Sequence, residues 1–206
     1  MSFKKNKYVV IKNAIEKNLA EFCYNYLLVK KQVYETCKKT RYISPYETLL
    51  GGYETKKDQV ENTYATYGDI ALDTLMLRSL PLMEKETKLK LNPAYSYARV
   101  YKKGDILKRH KDRFSCEIST TINLGGDSWP IYVEPSGKKN KKGISIDLKP
   151  GDMLIYRGCD LEHWREPFEG DECGQVFLHY TNAKKEQFFD GRLHIGLPGW
   201  FKNNGK

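Results

Sequence analysis

The stretch Ala94-Tyr95-Ser96-Tyr97-Ala98-Arg99-Val100-Tyr101 alternates in side-chain character, and the texture returns in Ile118-Ser119-Thr120-Thr121-Ile122-Asn123-Leu124 and Ile144-Ser145-Ile146-Asp147-Leu148. A period of two places successive side chains on opposite faces of an extended chain. Trp129-Pro130-Ile131-Tyr132-Val133, Met153-Leu154-Ile155-Tyr156 and Cys173-Gly174-Gln175-Val176-Phe177-Leu178-His179-Tyr180 add three further short runs, with glycine-rich turns between them. Short strands at this spacing build a sandwich or a barrel.

Toward the N-terminus the pattern changes. Tyr8-Val9-Val10-Ile11 reads as a short strand, and Asn13-Ala14-Ile15-Glu16 offers an N-cap with a glutamate three residues on. The spacing of Ile15, Leu19, Phe22, Cys23, Tyr26 and Leu27 predicts a helix through about Val29 with one apolar stripe. Residues 36–68 carry Ser44-Pro45, Gly51-Gly52 and tyrosines at 42, 46, 53, 64 and 67, and read as a long excursion of the lid or binding-loop kind. A second helix is expected after Asp69, ended or kinked by Pro81 and resumed over Glu84 to Lys90. Lys138-Lys139-Asn140-Lys141-Lys142 is read as a hairpin loop. The expected fold is α+β and mainly β: a jelly-roll core with N-terminal helices packed on one sheet. Within one domain over 1–206, residues 1–92 would supply helical support and the long loop, 93–182 the jelly-roll core and 183–206 a C-terminal tail.

Composition bounds the function classes. With 206 residues, 40% of them hydrophobic and 13% aromatic, the chain is globular rather than disordered, coiled-coil or collagen-like. No apolar run approaches the ~20 residues that span a bilayer, and Met1-Ser2-Phe3-Lys4-Lys5-Asn6-Lys7 lacks the apolar centre of a secretory signal, so a soluble cytoplasmic protein without a membrane partner is expected. Five cysteines without a C-x-x-C pair argue against a disulfide framework and a thiolate zinc site. Thirty-five Lys and Arg against 26 Asp and Glu give a net charge of +9. That charge favours approach to nucleic acid or an acidic partner, set against the plainer reading of a solvated basic surface.

The chemistry is carried by Tyr101-Lys102-Lys103-Gly104-Asp105-Ile106-Leu107-Lys108-Arg109-His110-Lys111-Asp112. On an extended strand His110 and Asp112 project to one face, where an imidazole nitrogen and a carboxylate oxygen reach one metal. A surface salt-bridging pair is the alternative. Downstream, Pro150-Gly151-Asp152 opens an apolar strand and a turn at Arg157-Gly158 leads to His163. Two histidines and one carboxylate on one face of an iron leave three positions open, the arrangement of non-haem Fe(II) oxygenases.

On these residues the sequence resembles the 2-oxoglutarate- and Fe(II)-dependent dioxygenases, in particular their prolyl 4-hydroxylase-like branch. The resemblance covers residues 70–182: a helix, a tyrosine-bearing strand, Tyr101-x-x-Gly104 before His110-x-Asp112, a strand ending in Gly125-Gly126, Pro150-Gly151-Asp152, and His163 with Pro167 four residues on. It implies a double-stranded β-helix core and Fe(II) bound by His110, Asp112 and His163, which are then the catalytic residues. It also implies Tyr101 in the 2-oxoglutarate pocket, O2 as oxidant and ascorbate as auxiliary reductant. The implied reaction hydroxylates a substrate with release of succinate and CO2.

One position departs from the family pattern. The usual Lys or Arg about ten residues after the distal histidine, which pairs the far carboxylate of 2-oxoglutarate, is here Cys173 beside Glu172. Arg165 is the first substitute, its alternative being a surface pairing with Glu162 or Glu166. Gln175 and His179 are weaker hydrogen-bonding candidates. Arg113, Trp129 and Trp164, with Tyr132, are candidates for the substrate mouth, weighed against solvent exposure for Arg113 and packing for the aromatics. Cys159 and Cys173 read as small buried groups rather than thiolate ligands.

The branch resemblance implies a prolyl residue in a protein or peptide as substrate. The basic surface and the tyrosine-rich loop are equally compatible with a nucleic-acid-modifying oxygenase. A cupin-like metalloenzyme using the same ligands without 2-oxoglutarate, and a non-catalytic jelly-roll module, complete the alternatives.

Overall fold

The computed structural model describes residues 3–41, 52–56, 58–138 and 141–184. Tyr42, Tyr46, Ser44-Pro45, Gly51, Lys139, Asn140, His194 and nearly all of the expected tail lie outside them.

The described chain runs α1 (Phe3–Asn6), β1 (Tyr8–Ile11), α2 (Lys17–Thr40), β2 (Ala65–Tyr67), α3 (Ile70–Thr87), β3 (Leu91–Lys102) and β4 (Leu107–His110). A 3-10 turn (Phe114–Cys116) leads into β5 (Ile118–Gly126), β6 (Ile131–Glu134), β7 (Ile144–Ile146), β8 (Met153–Tyr156), β9 (Glu162–Arg165) and β10 (Glu172–Asn182). These strands form a six-stranded sheet, β1-β8-β5-β10-β3-β2, and a four-stranded sheet, β4-β9-β6-β7. Their described pairings are antiparallel. This is the jelly-roll, mainly β architecture expected from the alternating runs.

The period-two pattern explains why the large sheet is buried on both faces. Ser96, Ala98 and Val100 of β3, with Ile118 and Ile122 of β5 and Val176, Leu178 and Tyr180 of β10, are buried. The apolar members of this row join Ala20, Cys23 and Leu27 of α2 and Leu72, Leu75, Met76 and Met83 of α3 in one cluster. The opposite row, Tyr95, Tyr97, Arg99 and Tyr101 with Phe177 and His179, lines the interior between the sheets. A single change of register would exchange the two rows, so the fold ties the helix-packing face to the site face.

The helices correct the sequence reading in four places. Asn13 is no N-cap: it has φ +50°, and its N–H donates to Asp152 Oδ1 at 3.0 Å, which ties the turn to Pro150-Gly151-Asp152. α2 therefore begins at Lys17, after an extended Glu16, and runs to Thr40 instead of stopping near Val29. Phe22 does not belong to the buried stripe; the stripe is Ala20, Cys23 and Leu27, which leaves Phe22 63% exposed. α3 begins after Asp69 as expected, with Asp69 as its N-cap accepting from Ala71 and Leu72, but the helix passes through Pro81 to Thr87 because its buried face holds it on the sheet.

The described part of residues 36–68 is likewise less irregular than expected. Residues 36–40 are helical, and Ala65–Tyr67 pairs with β3. β1 and β2, from the part read as helical support and loop, form the two edges of the large sheet. The lysine-rich run joins β6 to β7, which pair antiparallel with Val133 opposite Ile144.

Candidate metal centre and cosubstrate pocket

β4 and β9 lie side by side, with His110 in register with His163. β4 ends at His110, so the strand periodicity does not place Asp112. Its position comes instead from its own N–H, which donates to Gly158 O at 2.9 Å. That approach needs glycine: a Cβ at residue 158 would stand 2.3 Å from Asp112 Oδ2 and 2.4 Å from Cys116 O.

The result is a group of three donors. Asp112 Oδ1 lies 3.6 Å from His110 Nε2 and 3.4 Å from His163 Nε2. Both imidazoles are oriented from behind: His110 Nδ1 donates to Lys108 O at 2.7 Å and His163 Nδ1 to Leu161 O at 3.0 Å. With Nδ1 carrying the proton, each Nε2 offers a lone pair toward the same point. In the metal-free protein, where the two Nε2 atoms can instead carry protons toward Asp112 Oδ1, burial would raise its carboxyl, but the His163 charge and the hydrogen bonds from both histidines outweigh it and hold the group well below the usual carboxylate range. The three side chains form a group able to hold a metal ion. Ser119 Oγ donates to Asp112 Oδ2 at 3.0 Å, so the second oxygen is fixed as well.

The group opens on a cavity of about 280 Å³ whose walls include Tyr95, Tyr97, Arg99, Tyr101, Tyr156 and His179. Tyr101, the expected cosubstrate residue, is buried and borders this cavity. Arg113 also lines it, with Nη2 donating to Tyr95 Oη at 3.0 Å and the guanidinium 5.4 Å from that ring's centre.

Arg165 is not the surface residue of the alternative reading. It is 1% exposed; Nη1 donates to Trp129 O, and Nε and Nη2 are buried with no hydrogen-bond partner among the described residues. Desolvation pulls its guanidinium down, although Cys173, Tyr101 and Tyr156 act in the opposite direction. Two of those neighbours, Tyr101 and Tyr156, border the cavity. Cys173 is fully buried and accepts from Gln175 Nε2 at 3.2 Å, while Gln175 Oε1 accepts from Thr121. Gln175 is thus committed to partners within the protein.

The two tryptophans do not face the cavity. Trp129 is buried against Tyr101 and Phe168 and donates to Glu166 O at 2.8 Å. Trp164 stacks on Tyr132, with ring centres 5.4 Å apart, under the Arg109 guanidinium. The alternation that turns His163 and Arg165 inward turns Trp164 to the other face of β9. What the sequence reading missed is the row Tyr95, Tyr97 and Arg99: each shares a face with Tyr101 at a spacing of two, and that periodicity was the available signal.

No protein-family model matches the chain, and neither does any curated protein. Solved structures do match. A Pseudomonas putida prolyl-4-hydroxylase aligns with TM-score 0.55 and 12% identity over 88% of this chain and 95% of its own. The viral collagen prolyl hydroxylase of Paramecium Bursaria Chlorella virus-1, solved with 2-oxoglutarate, gives 0.57 and 12% over 86% and 97%. HygX of Streptomyces hygroscopicus, solved with nickel, 2-oxoglutarate and hygromycin B, gives 0.62 and 13% over 91% and 87%. The fold is that of the 2-oxoglutarate- and Fe(II)-dependent oxygenases. At these identities the likeness concerns the fold, and the chemistry rests on the residues described above. No helix among the described residues is long and apolar enough to cross a membrane.

Proposed function

We propose that the protein is an Fe(II)- and 2-oxoglutarate-dependent hydroxylase. The observation that carries this is the His110, Asp112 and His163 group, with both Nε2 atoms and Asp112 Oδ1 converging. Nitrogen donors on one side and a single carboxylate suit Fe(II), with coordination positions left for a bidentate ligand and O2. Bound there, Fe(II) with 2-oxoglutarate supplies the oxidising power that converts a C–H bond to C–OH, with succinate and CO2 as by-products.

The protein's own contributions follow from its geometry. Lys108 O and Leu161 O fix the tautomers of the two histidines, and Ser119 and Gly158 fix the carboxylate. Arg165 takes the role of the missing cation at position 173: its unpartnered Nε and Nη2 match the two oxygens of a carboxylate. Its contact with that carboxylate would relieve the cost of two orphaned donors. Tyr101 and Tyr156 border the cavity and also act electrostatically on Arg165, and the cavity's aromatic walls would limit water around the reacting C–H bond.

For the substrate we propose a prolyl residue in a peptide. The cavity walls present Tyr53, Tyr95, Tyr97 and Phe177, and aromatic-lined grooves suit the extended conformation of proline-rich segments. Like any such groove, it is also open to a small ring-bearing molecule, which is the competing outcome in a substrate assay.

The test is anaerobic. Adding 2-oxoglutarate to the Fe(II) protein should produce a visible metal-to-ligand charge-transfer band, and admitting O2 should yield succinate. His110→Ala and Asp112→Ala should abolish both while leaving the chain folded by circular dichroism. Iron binding without band or succinate would favour a metalloenzyme that does not use 2-oxoglutarate. Mass gain of one oxygen on a proline peptide, against none, then decides the substrate.

A further inference from the structure

Asp112 faces two clusters. Its Oδ1 points to His110 and His163, whereas Oδ2 accepts from Ser119 Oγ, which also contacts His179 Nδ1 at 2.9 Å. Four residues along the chain, Cys116 closes the 3-10 turn, its Sγ 2.9 Å from Tyr95 Oη. One ligand atom each from Asp112, Cys116 and His179 lies within 4.8 Å of the other two. Cys116 and His179 are buried at 4% and 6% exposure, and both border the same cavity.

We propose that Asp112, Cys116 and His179 form a second divalent-metal site, selective for zinc over iron, that shares one carboxylate with the His110–Asp112–His163 group. The donor set is the argument. Three protein ligands with one sulfur, one nitrogen and one oxygen, and a position left open, suit tetrahedral zinc, and a thiolate favours softer metals over Fe(II). Zinc–ligand distances of ~2.0–2.3 Å place tetrahedral donors ~3.3–3.7 Å apart, so the cluster closes on an ion by about 1 Å of side-chain movement. On binding, the Cys116 thiol gives its proton to solvent, and thiolate and carboxylate together match the two positive charges of the ion.

The isolated cysteines of this chain gave no thiolate-pair signal because the site takes its three ligands from the turn before β5, the loop after β4 and the middle of β10. His179 is placed by its register opposite Ser119, so that one hydroxyl connects the two clusters through Asp112. Sharing Asp112 couples the sites: a metal in either draws on a carboxylate the other uses, and the coupling is reciprocal.

The test uses Co(II) alone, with the reduced full-length chain under nitrogen, and so stands apart from the hydroxylase reading. Titration should give a near-ultraviolet sulfur-to-cobalt charge-transfer band in the wild type and in His163→Ala. The band should disappear in Cys116→Ser, persist in Cys159→Ser, and be displaced by Zn(II). If Cys116→Ser does not fold, His179→Gln serves as the second variant, with the band lost or weakened at least tenfold. Absence of the band in the wild type, or its survival in Cys116→Ser, overturns the proposal. Visible d–d bands without the thiolate band would do so while leaving the His110–Asp112–His163 group intact.

Discussion

Arg99 and Arg165 stand on different sheets of the same jelly roll, both almost wholly buried, and the protein treats them in opposite ways. Arg99, on β3, donates to Val60 O at 2.9 Å and Tyr97 Oη at 2.6 Å and pairs with Asp58 at 2.6 Å. Burial pulls its guanidinium down, but Tyr97, Tyr101 and Asp58 outweigh burial and raise it above its ordinary value. Arg165, on β9, keeps two orphaned N–H-bearing nitrogens, and there desolvation prevails. A buried cation satisfied by its own chain is part of the structure; one left unsatisfied is open to an anion, the role proposed above for Arg165.

Arg165→Met gives the largest expected effect. Loss of a charge-assisted, two-pronged contact should raise the dissociation constant for 2-oxoglutarate about 100-fold or more, read by titrating the charge-transfer band. The same variant removes an unpaired buried charge, so without cosubstrate its melting temperature should stay level or rise. Unchanged affinity would remove Arg165 from the pocket and leave Arg99 as the remaining buried guanidinium beside the metal group among the described residues.

Arg99→Met should reverse the pattern. Stripping the cation from Asp58 and the donor from Val60 O is expected to cost about 3–5 kcal/mol in urea unfolding, since breaking a buried pair leaves its partner unmatched. Affinity for 2-oxoglutarate should change less than about fivefold, well short of the loss of a charge-assisted contact. A large loss of affinity at unchanged stability would exchange the roles of the two arginines.

The same contrast explains what the sequence disclosed. The strands were legible because period-two alternation survives burial on both faces; of the residues proposed as ligands, the H-x-D pair stands out by its local spacing, whereas His163 joins it only through the pairing of β9 with β4. Asp112 was reached for an incomplete reason: its place depends on Gly158 O, forty-six residues on, which no strand period encodes. Arg165 was visible as an arginine but not as a buried one, because burial is decided by the pairing of β9 with β4 and β6. Trp129 and Trp164 misled because an aromatic beside a ligand strand faces either way, and one residue of alternation decides which. Cys116 carried no sequence signal, and His179 was read only as a hydrogen-bonding candidate; the two come together when β10 pairs with β5, just after the turn that holds Cys116.

A third buried ion tests whether an orphaned polar atom marks a ligand site by itself. Asp73 of α3 is 2% exposed; its Oδ1 accepts from Ser96 N at 3.1 Å and Ser96 Oγ at 2.6 Å, while Oδ2 is buried without a hydrogen-bond partner among the described residues. It sits in the helix layer, away from the cavity lining. With no ligand to wait for, it responds by holding a proton: burial pushes it up to about 6, against the Ser96 hydrogen bonds and with help from Asp69. The unfolded carboxyl titrates near ~3.9, so the folded state binds the proton more tightly between those values. The resulting stabilisation is full below pH ~4 and is lost as pH rises through about 6, a fall on the order of 3 kcal/mol. Asp73→Asn keeps an acceptor for Ser96 and carries no charge, so its urea-unfolding stability should lack that fall between pH 4 and 7. Parallel curves for the two proteins would mean that the orphaned oxygen costs nothing when ionised. Unpartnered atoms would then say little about either layer of the fold, and the choice of Arg165 over Arg99 would lose its premise.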